Sequence, residues 1–203
     1  MPSASKRSLS KAALIAAVLA VGLSACATQK PTSSGFLSAP AALTAPASIT
    51  TRYRAAMIET VEYRPSGRVP AKAGEADIAV LRAAYYEALV DAFGERMAIT
   101  QTPGPDVLRV RAAITGYTLA NPTWNAAAML APIGPRNGGV ATEAEIVDSV
   151  TGAPLAQQSL AFNAGFFNSK LTAMFARTAH AKSGFKKHAQ ALAAQAPAIE
   201  AKR

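Results

Sequence analysis

Cysteine is almost absent from this chain of 203 residues, and histidine and aromatic residues are scarce. Cys26 is the only cysteine, so no intramolecular disulfide can form and the core must be held by packing. The two histidines, His180 and His188, lack the i, i+4 spacing of a helical metal pair. Aromatic residues make up 6% of the chain, although 50% of its residues are hydrophobic. This composition favours an ordinary folded domain over a disordered or polytopic chain.

A hydrophobic run long enough for a membrane-spanning helix, about 20 apolar residues, is also missing. The apolar run 12–23 is shorter, and it follows an N-terminus that carries Lys6, Arg7 and Lys11 without an acidic residue. A basic start, a short apolar stretch and small residues behind it are typical of a secretory signal peptide. The sequence therefore predicts export.

The four residues behind that run read Leu-Ser-Ala-Cys, from Leu23 to Cys26. They resemble the lipobox of bacterial lipoproteins, in which the cysteine becomes the lipidated first residue. The alternative is soluble secretion, because Ala25 and Ala27 around the cysteine also fit an A-x-A cleavage site. That alternative leaves a lone thiol in an oxidising compartment. We therefore expect diacylglycerol and an N-acyl chain on Cys26 and, since no Asp follows it, a lipid-anchored place on the periplasmic face of the outer membrane.

Composition divides the chain into three parts. Residues 1–25 form the predicted lipoprotein signal peptide, residues 26–50 the lipidated cysteine and a flexible tether, and residues 51–203 a single periplasmic domain. The tether is rich in Ser, Thr, Pro and small residues, and it could extend to roughly 70 Å at about 3.1 Å per residue. Within it, Gly35-Phe36-Leu37 is unusually apolar for a linker and is a candidate for docking on the domain.

Hydrophobic periodicity predicts both helices and strands in the domain. Residues 75–93 carry apolar side chains at helical spacing, with Gly94 behind them as a stop. Residues 107–119 alternate apolar and polar side chains, which indicates a strand with one face in a core and the other in water. The remaining predicted elements are strands over 55–63, 96–101, 140–148 and 155–162, a hairpin turn over 148–152, and helices over 169–182 and 184–196. We expect an α+β fold with a largely antiparallel sheet of about five strands and helices packed on one face.

Three segments of the mature chain resemble a known family. They are Ser-Gly-Phe-Leu at 34–37, the run from Pro103 to Thr115, and the run from Glu143 to Gly152. In this order they are similar to the proteobacterial lipoprotein family called domain-of-unknown-function 3313. The resemblance spans most of the mature chain and implies a single-domain lipoprotein. It implies no catalytic residues, because the family has no established activity.

Few residues are arranged for catalysis or metal binding. Glu143 and Glu145 lie on one strand face and could do glycoside chemistry, but such acids more often form the solvated side of a strand. His180 and His188 are expected to be solvated on a helix surface, with no further zinc ligands nearby. The sequence therefore predicts no catalytic residue, no metal site and no cofactor apart from the lipid on Cys26.

All of the excess positive charge of the mature chain lies in its last quarter. Without the three basic residues of the leader, 18 basic residues remain against 12 acidic ones, a net charge of +6. Residues 149–203 hold seven of the basic residues and only one acidic residue. Four of the basic side chains point away from the apolar faces of the predicted helices. They are Lys170, Arg177, Lys186 and Lys187.

Two interpretations of this basic surface are open. The lysines can be the solvated side of helices whose apolar faces dock on the sheet. They can also meet anionic lipid headgroups, lipopolysaccharide phosphates or the acidic groups of cell-wall polymer. A second candidate surface is the apolar stretch around the only tryptophan, with Trp124, Met129 and Leu130, which could bind a partner or cover the core.

Our leading interpretation is a non-catalytic outer-membrane lipoprotein that binds another envelope component. The partner classes are an envelope protein, an anionic lipid and a cell-wall polymer, and the compartment excludes nucleic acid. Two alternatives remain. The first is an envelope or cell-wall hydrolase that uses Glu143 or Glu145, and the second is a carrier of a small apolar ligand between sheet and helices.

Overall fold

The computed structural model describes residues 33–38, 49, 52–66, 74–121, 138–163 and 178–198. Within these ranges the chain forms a sheet and two helices. In chain order the elements are β1 (Ala55–Ile58), β2 (Glu62–Tyr63), α1 (Glu75–Gly94), β3 (Ala98–Ile99), β4 (Val107–Thr118), β5 (Gly139–Asp148), β6 (Pro154–Asn163) and α2 (Ala179–Ala193). The α+β class expected from the sequence is confirmed.

The sheet is mixed rather than largely antiparallel, and it has six strands rather than about five. Its order is β3-β1-β4-β5-β6, with β2 also paired to β4. The three short strands β1, β2 and β3 form only parallel pairs, while β4, β5 and β6 form two long antiparallel pairs. The prediction was wrong because it assumed that strands joined by turns dominate. Here α1 is a crossover between β1 and the parallel strand β3, and crossovers of this kind join parallel neighbours.

Both helices pack on one face of the sheet, as expected. In α1 the buried side chains include Leu81, Tyr85 and Leu89, one helical turn apart. The Tyr85 ring stacks on Phe185 of α2 with 4.8 Å between the ring centroids. These residues belong to the main hydrophobic core, whose free energy of burial holds the helices against the sheet.

Helix α2 approaches the sheet closely at Gly184. A Cβ atom at this position would lie 2.7 Å from Val140 Cγ2 and 2.9 Å from Phe162 Cδ1, which is closer than real carbon atoms come. Glycine therefore allows the helix axis to lie against β5 and β6. The sequence predicted a break between two helices at Ser183, and this is wrong, because α2 runs through that residue.

The opposite face of the sheet carries a short segment from the N-terminal part of the chain. We call residues 33–38 the strap. Phe36 in the strap is buried, and Ser34 and Ser38 bond to side chains of β5. The expected docking of Gly35-Phe36-Leu37 is thereby observed. Among the residues that the structure describes, no helix is long and apolar enough to cross a membrane.

Candidate functional site

Three polar side chains form a row across the strapped face of the sheet. The strand register places Arg111 of β4, Glu145 of β5 and Gln157 of β6 side by side. The guanidinium Nη1 of Arg111 donates to Glu145 Oε1, and Gln157 Nε2 donates to Glu145 Oε2 over 3.0 Å. Glu145 is completely buried, so these cross-strand donors replace the water that its carboxylate would otherwise need.

A second row lies two residues along β5, where Glu143 stands between Ala113 and Ser159. Both neighbours are small, which leaves space above the sheet beside the carboxylate. That space is used by the strap, because the Ser34 amide donates to both carboxylate oxygens of Glu143 over 3.2 Å, and the Ser34 hydroxyl also donates to Oε2. Glu143 is 1% exposed. The strap thus supplies donors to a carboxylate that has been removed from water.

Ser38 repeats this arrangement at the other end of the strap. Its amide donates to Glu145 Oε2 over 2.9 Å, and its hydroxyl donates to Glu145 Oε1 over 2.8 Å. Each serine therefore gives one N–H and one O–H to one buried carboxylate, and hydrogen bonds to a charged group are stronger than neutral ones. Gly35 between them has φ +74°, a left-handed conformation that favours glycine.

Phe36 occupies the middle of the strap between the two serines. Its side chain is buried, and the guanidinium carbons of Arg111 and Arg64 lie 5.1 Å and 5.5 Å from the ring centroid. Glu59 lies 3.6 Å from Arg111 Nε and so balances part of that positive charge. The arginines of the site therefore bind the aromatic ring of the strap, and the glutamates of the site bind the two serines that flank the ring.

The contributions to strap docking nearly cancel. The four N–H and O–H donors of the strap contribute about 6–12 kcal/mol through their hydrogen bonds to carboxylates, and burial of Phe36 adds about 2–3 kcal/mol. Ordering the backbone of six residues costs about 6–12 kcal/mol. Where the hydrogen bonds and the backbone cost, which have the same range, offset each other, the burial of Phe36 remains as the net free energy of docking, about 2–3 kcal/mol or a ratio of about 100 to 1. The strap therefore occupies its site most of the time, but the loss of one or two contacts releases it.

The match to a known family covers both the strap and the strands beneath it. The family described as "Protein of unknown function (DUF3313)" matches residues 30–192. The chain belongs to this family. The family that the three sequence segments resemble is thus confirmed. Its matched region includes all the residues of the strap site, from Ser34 to Gln157. No curated protein matches the chain.

Several solved structures resemble this family member at low sequence identity. The PelC dodecamer from Paraburkholderia phytofirmans is 10% identical with a TM-score of 0.41, covering 70% of this chain and 91% of that one. Protein XCC0632 from Xanthomonas campestris is 10% identical with a TM-score of 0.40, covering 70% and 81%. Lipoprotein GNA1162 from Neisseria meningitidis is 12% identical with a TM-score of 0.34, covering 60% and 90%. At these TM-scores the likenesses carry no argument about this DUF3313 chain.

The two acids singled out in the sequence are not on a solvated face. Glu143 and Glu145 do share one face of β5, as predicted, but both are buried beneath the strap. The expectation of a solvated strand face is also wrong at Thr115 of β4, which is 1% exposed. Alternation shows which side chains share a face, but not what covers that face. The signal that could have revealed the strap is Ser-Gly-Phe-Leu-Ser, a phenylalanine between two serines in an otherwise polar tether.

The histidines are also buried rather than solvated. His180, Gly184 and His188 follow each other at four-residue spacing along the side of α2 that faces the sheet. Thr142 Oγ1 lies 2.8 Å from His188 Nδ1, at hydrogen-bonding distance. Burial lowers the pKa of His188 to about 4 and also lowers the pKa of His180. The surface prediction was wrong because the close approach at Gly184 brings this stripe against β5.

Sequence reasoning missed a polar cluster at the end of β5. Asp148 Oδ1 accepts from the Thr151 and Val150 amides over 2.8 Å and 3.0 Å. Its Oδ2 accepts from the Tyr53 hydroxyl over 2.8 Å and from Arg52 Nη2 over 2.7 Å. The Thr151 amide, then the Tyr53 hydroxyl, hold the pKa of Asp148 well below its usual range. The cluster closes the predicted hairpin turn and ties it to the chain before β1.

Two of the predicted partner-binding residues can be placed. Lys186 and Lys187 are exposed on α2, and Lys187 Nζ lies 4.8 Å from the Phe162 ring centroid. The apolar face expected for this helix is confirmed by the burial of Phe185, Ala189 and Leu192. The other residues of this kind, together with the lipidation site, lie outside the described residues: Cys26, Trp124, Met129, Leu130, Lys170 and Arg177.

Metal binding was not expected. Over the described parts of the chain, no three His, Cys, Asp or Glu side chains come together as metal ligands. The carboxylates of Glu143, Glu145 and Asp148 are instead bonded to serine, arginine, glutamine, tyrosine and backbone donors.

Proposed function

We propose that this protein is a non-catalytic lipoprotein of the outer membrane whose domain binds an anionic component of the cell envelope. The observation that supports this proposal most is the strap, which ties the sheet to the chain only seven residues after Cys26. A protein that is anchored by lipid on Cys26 is then held by a docked segment rather than by a free linker. Ala27 behind the cysteine supports the outer membrane as the place of anchoring.

Docking of the strap shortens the reach of the anchor. Seven residues from Cys26 to Ser33 extend at most to about 25 Å, whereas the whole segment to Ile49 could extend to roughly 75 Å. With the strap docked, the domain therefore stays close to the bilayer. The strapped face of the sheet, from which this short segment leaves, is the face turned toward the membrane.

The basic surface of α2 then faces away from the membrane. Thr142 and Ala144 contact the helix side of the sheet while Glu143 and Glu145 face the strap, since successive strand residues point to opposite faces. On α2, Lys182, Lys186 and Lys187 are exposed, and the helix contains no acidic residue. A basic surface on the side opposite the anchor supports an anionic cell-wall polymer as the partner, in preference to lipid headgroups of the anchoring bilayer.

The chemistry of the buried acids supports a non-catalytic role. A glycosidase needs one carboxylate free to donate a proton and another free to attack or to activate water. Both Glu143 and Glu145 instead accept N–H and O–H donors from the strap. Their geometry is accounted for by attachment of the strap.

Charge reversal on α2 tests the partner class. In purified chain with Lys186→Glu and Lys187→Glu, we expect binding to isolated cell-wall sacculi to fall at least tenfold. Arg54→Glu, at an exposed position away from α2, is the control for a charge reversal elsewhere on the domain and should leave sacculus binding within twofold. Equal binding of the charge-reversed and native chains to sacculi, with both folded, would contradict the proposed polymer partner.

Fractionation of cells tests the anchor separately. The native protein should be found with outer membranes, and Cys26→Ser should release it into the soluble periplasmic fraction. Recovery of the native protein in inner membranes would contradict the sorting by Ala27. Firm membrane attachment of the Cys26→Ser protein would contradict lipid anchoring altogether.

A further inference from the structure

We propose that the strap site is an exchangeable peptide site, which accepts the strap of a second copy of this chain as well as its own. The site consists of Glu143, Glu145 and Arg111 with Arg64 at its edge, and its ligand is the segment Ser-Gly-Phe-Leu-Ser. Exchange of straps would link neighbouring copies into pairs or longer assemblies.

The strap has the properties of a separable ligand. Its contacts come from three side chains and two amides within six residues, and its hydrogen bonds to β5 reach residues 107 to 109 positions further along the chain. Ten residues, 39–48, separate it from the buried Ile49 and could extend to about 36 Å between the two ends. The site recognises the strap by the side chains of the strap itself, and a connector of this length lets the strap reach another copy. Such a segment can be exchanged between copies, as in domain swapping.

The strength of the exchanged contact follows from the balance within one chain. Within one chain, a short connector holds the strap near its site at an effective concentration of about 1 mM. Dividing this concentration by the docked-to-released ratio of about 100 gives a dissociation constant of about 10 µM for the strap of one copy on the site of another. Dilute chains in solution should therefore keep their own straps. Crowded copies can exchange them.

Anchoring favours exchange between copies, and this step rests on the proposed function. Lipid on Cys26 confines all copies to one plane, and a reach of about 25 Å holds their straps and strap sites at the same height. Confinement to one plane raises the local concentration of the partner whose chemistry the site already fits. A second copy is therefore a better partner for the site than an unrelated protein segment.

A pair of complementary variants isolates exchange from docking within one chain. One variant keeps its strap and loses the site, with Glu143→Ala and Glu145→Ala. The other keeps the site and loses the strap, with Ser34→Ala, Phe36→Ala and Ser38→Ala. Both are made as the full mature chain with Cys26→Ser, so that no lipid is involved and failure of the anchor cannot affect the result. Only the strap of the first variant on the site of the second can form a complete contact.

We expect each variant alone to sediment as a monomer at 50 µM, and the mixture to form a one-to-one complex with a dissociation constant of about 10 µM. A synthetic peptide of residues 32–39 should compete for the site, and the same peptide with Phe36→Ala should compete at least tenfold less well. Circular dichroism and thermal unfolding check that both variants are folded. If the strap-free variant loses its fold, Phe36→Ala alone takes its place.

Two results would overturn the inference. If the mixture remains monomeric at 200 µM while the peptide still binds, the connector prevents exchange and the site serves one chain only. If neither the mixture nor the peptide binds, the strap is not a separable ligand. Neither result bears on lipid anchoring, which the fractionation of native and Cys26→Ser protein decides.

Discussion

The two faces of the sheet are buried by different means. On the helix face, Ala144 and Ile146 of β5 lie under α1 and α2 in an apolar core. On the strapped face, Glu143 and Glu145 of the same strand lie under six residues that give them hydrogen bonds. All ten residues of β5 are buried, so both faces of this strand exclude water. The helix face is held by shape and the strapped face by matched polar groups, and substitutions should affect them differently.

The largest effect should come from filling the close approach on the helix face. Gly184→Ala places a methyl group 2.7 Å from Val140 Cγ2, so the helix or the sheet must shift. We expect the free energy of unfolding to fall by about 2–3 kcal/mol, as measured by urea denaturation. Ser183→Ala, at the exposed neighbouring position, is the matched control and should be neutral within 0.5 kcal/mol, roughly the range for surface substitutions. Equal stability of the two variants would contradict close packing at Gly184.

On the strapped face, Phe36→Ala should release the strap and leave the core folded. Loss of the buried ring removes about 2 kcal/mol, so the docked and released states become nearly equal in free energy. Hydrogen exchange should show protection of the Ser34 and Ser38 amides falling about 30-fold or more, while α1 and α2 change little. Ser66→Ala, at a half-buried position outside the strap, serves as the control. Unchanged protection at Ser34 would show that the strap does not depend on Phe36.

The helices and the longest strands could be predicted from sequence because their signals are local. The expected helix over 75–93 is Glu75–Gly94 in the structure, and the strand over 107–119 is Val107–Thr118. Periodicity of 3.6 or 2 residues depends only on neighbours in the chain. The parallel pairing of β1 with β4 depends on how α1 crosses the sheet, and no alternation pattern contains that information.

The strap site could be predicted only in part. The tether revealed Phe36 as an unusual residue, and the strand pattern placed Glu143 and Glu145 on one face. The bonds from Ser34 to Glu143 and from Ser38 to Glu145 join residues more than 100 positions apart, so the sequence pattern could not show that the strap covers these acids. The buried His188 was missed for a similar reason, because its burial follows from the approach of α2 at Gly184.

That histidine should make the helix face sensitive to acid. The pKa of His188 is lowered to about 4 by burial, against about 6.5 in an unfolded chain. Between these values the unfolded chain binds a proton that the folded chain does not, so stability is lost as the pH falls from about 6.5 toward 4. We expect a loss of about 1–2 kcal/mol between pH 7.5 and pH 5. His188→Gln should reduce this pH dependence, and an undiminished slope would assign it to other groups.

The smallest effect should come from the backbone of the strap. Gly35 has φ +74°, and a Cβ added there would meet no atom within 4 Å, so Gly35→Ala changes the conformational energy without a steric clash. Alanine in this left-handed conformation costs about 1 kcal/mol. The ratio of docked to released strap should therefore fall about fivefold, which hydrogen exchange at Ser34 can measure, while urea denaturation changes little. Leu37→Ala, at a half-buried position in the same segment, separates backbone strain from side-chain loss. Suppose that the Ser34 amide is as well protected from hydrogen exchange in the Gly35→Ala variant as in the native protein. In that case the strap binds in a backbone conformation that does not require glycine, and recognition rests on the serines and Phe36 alone.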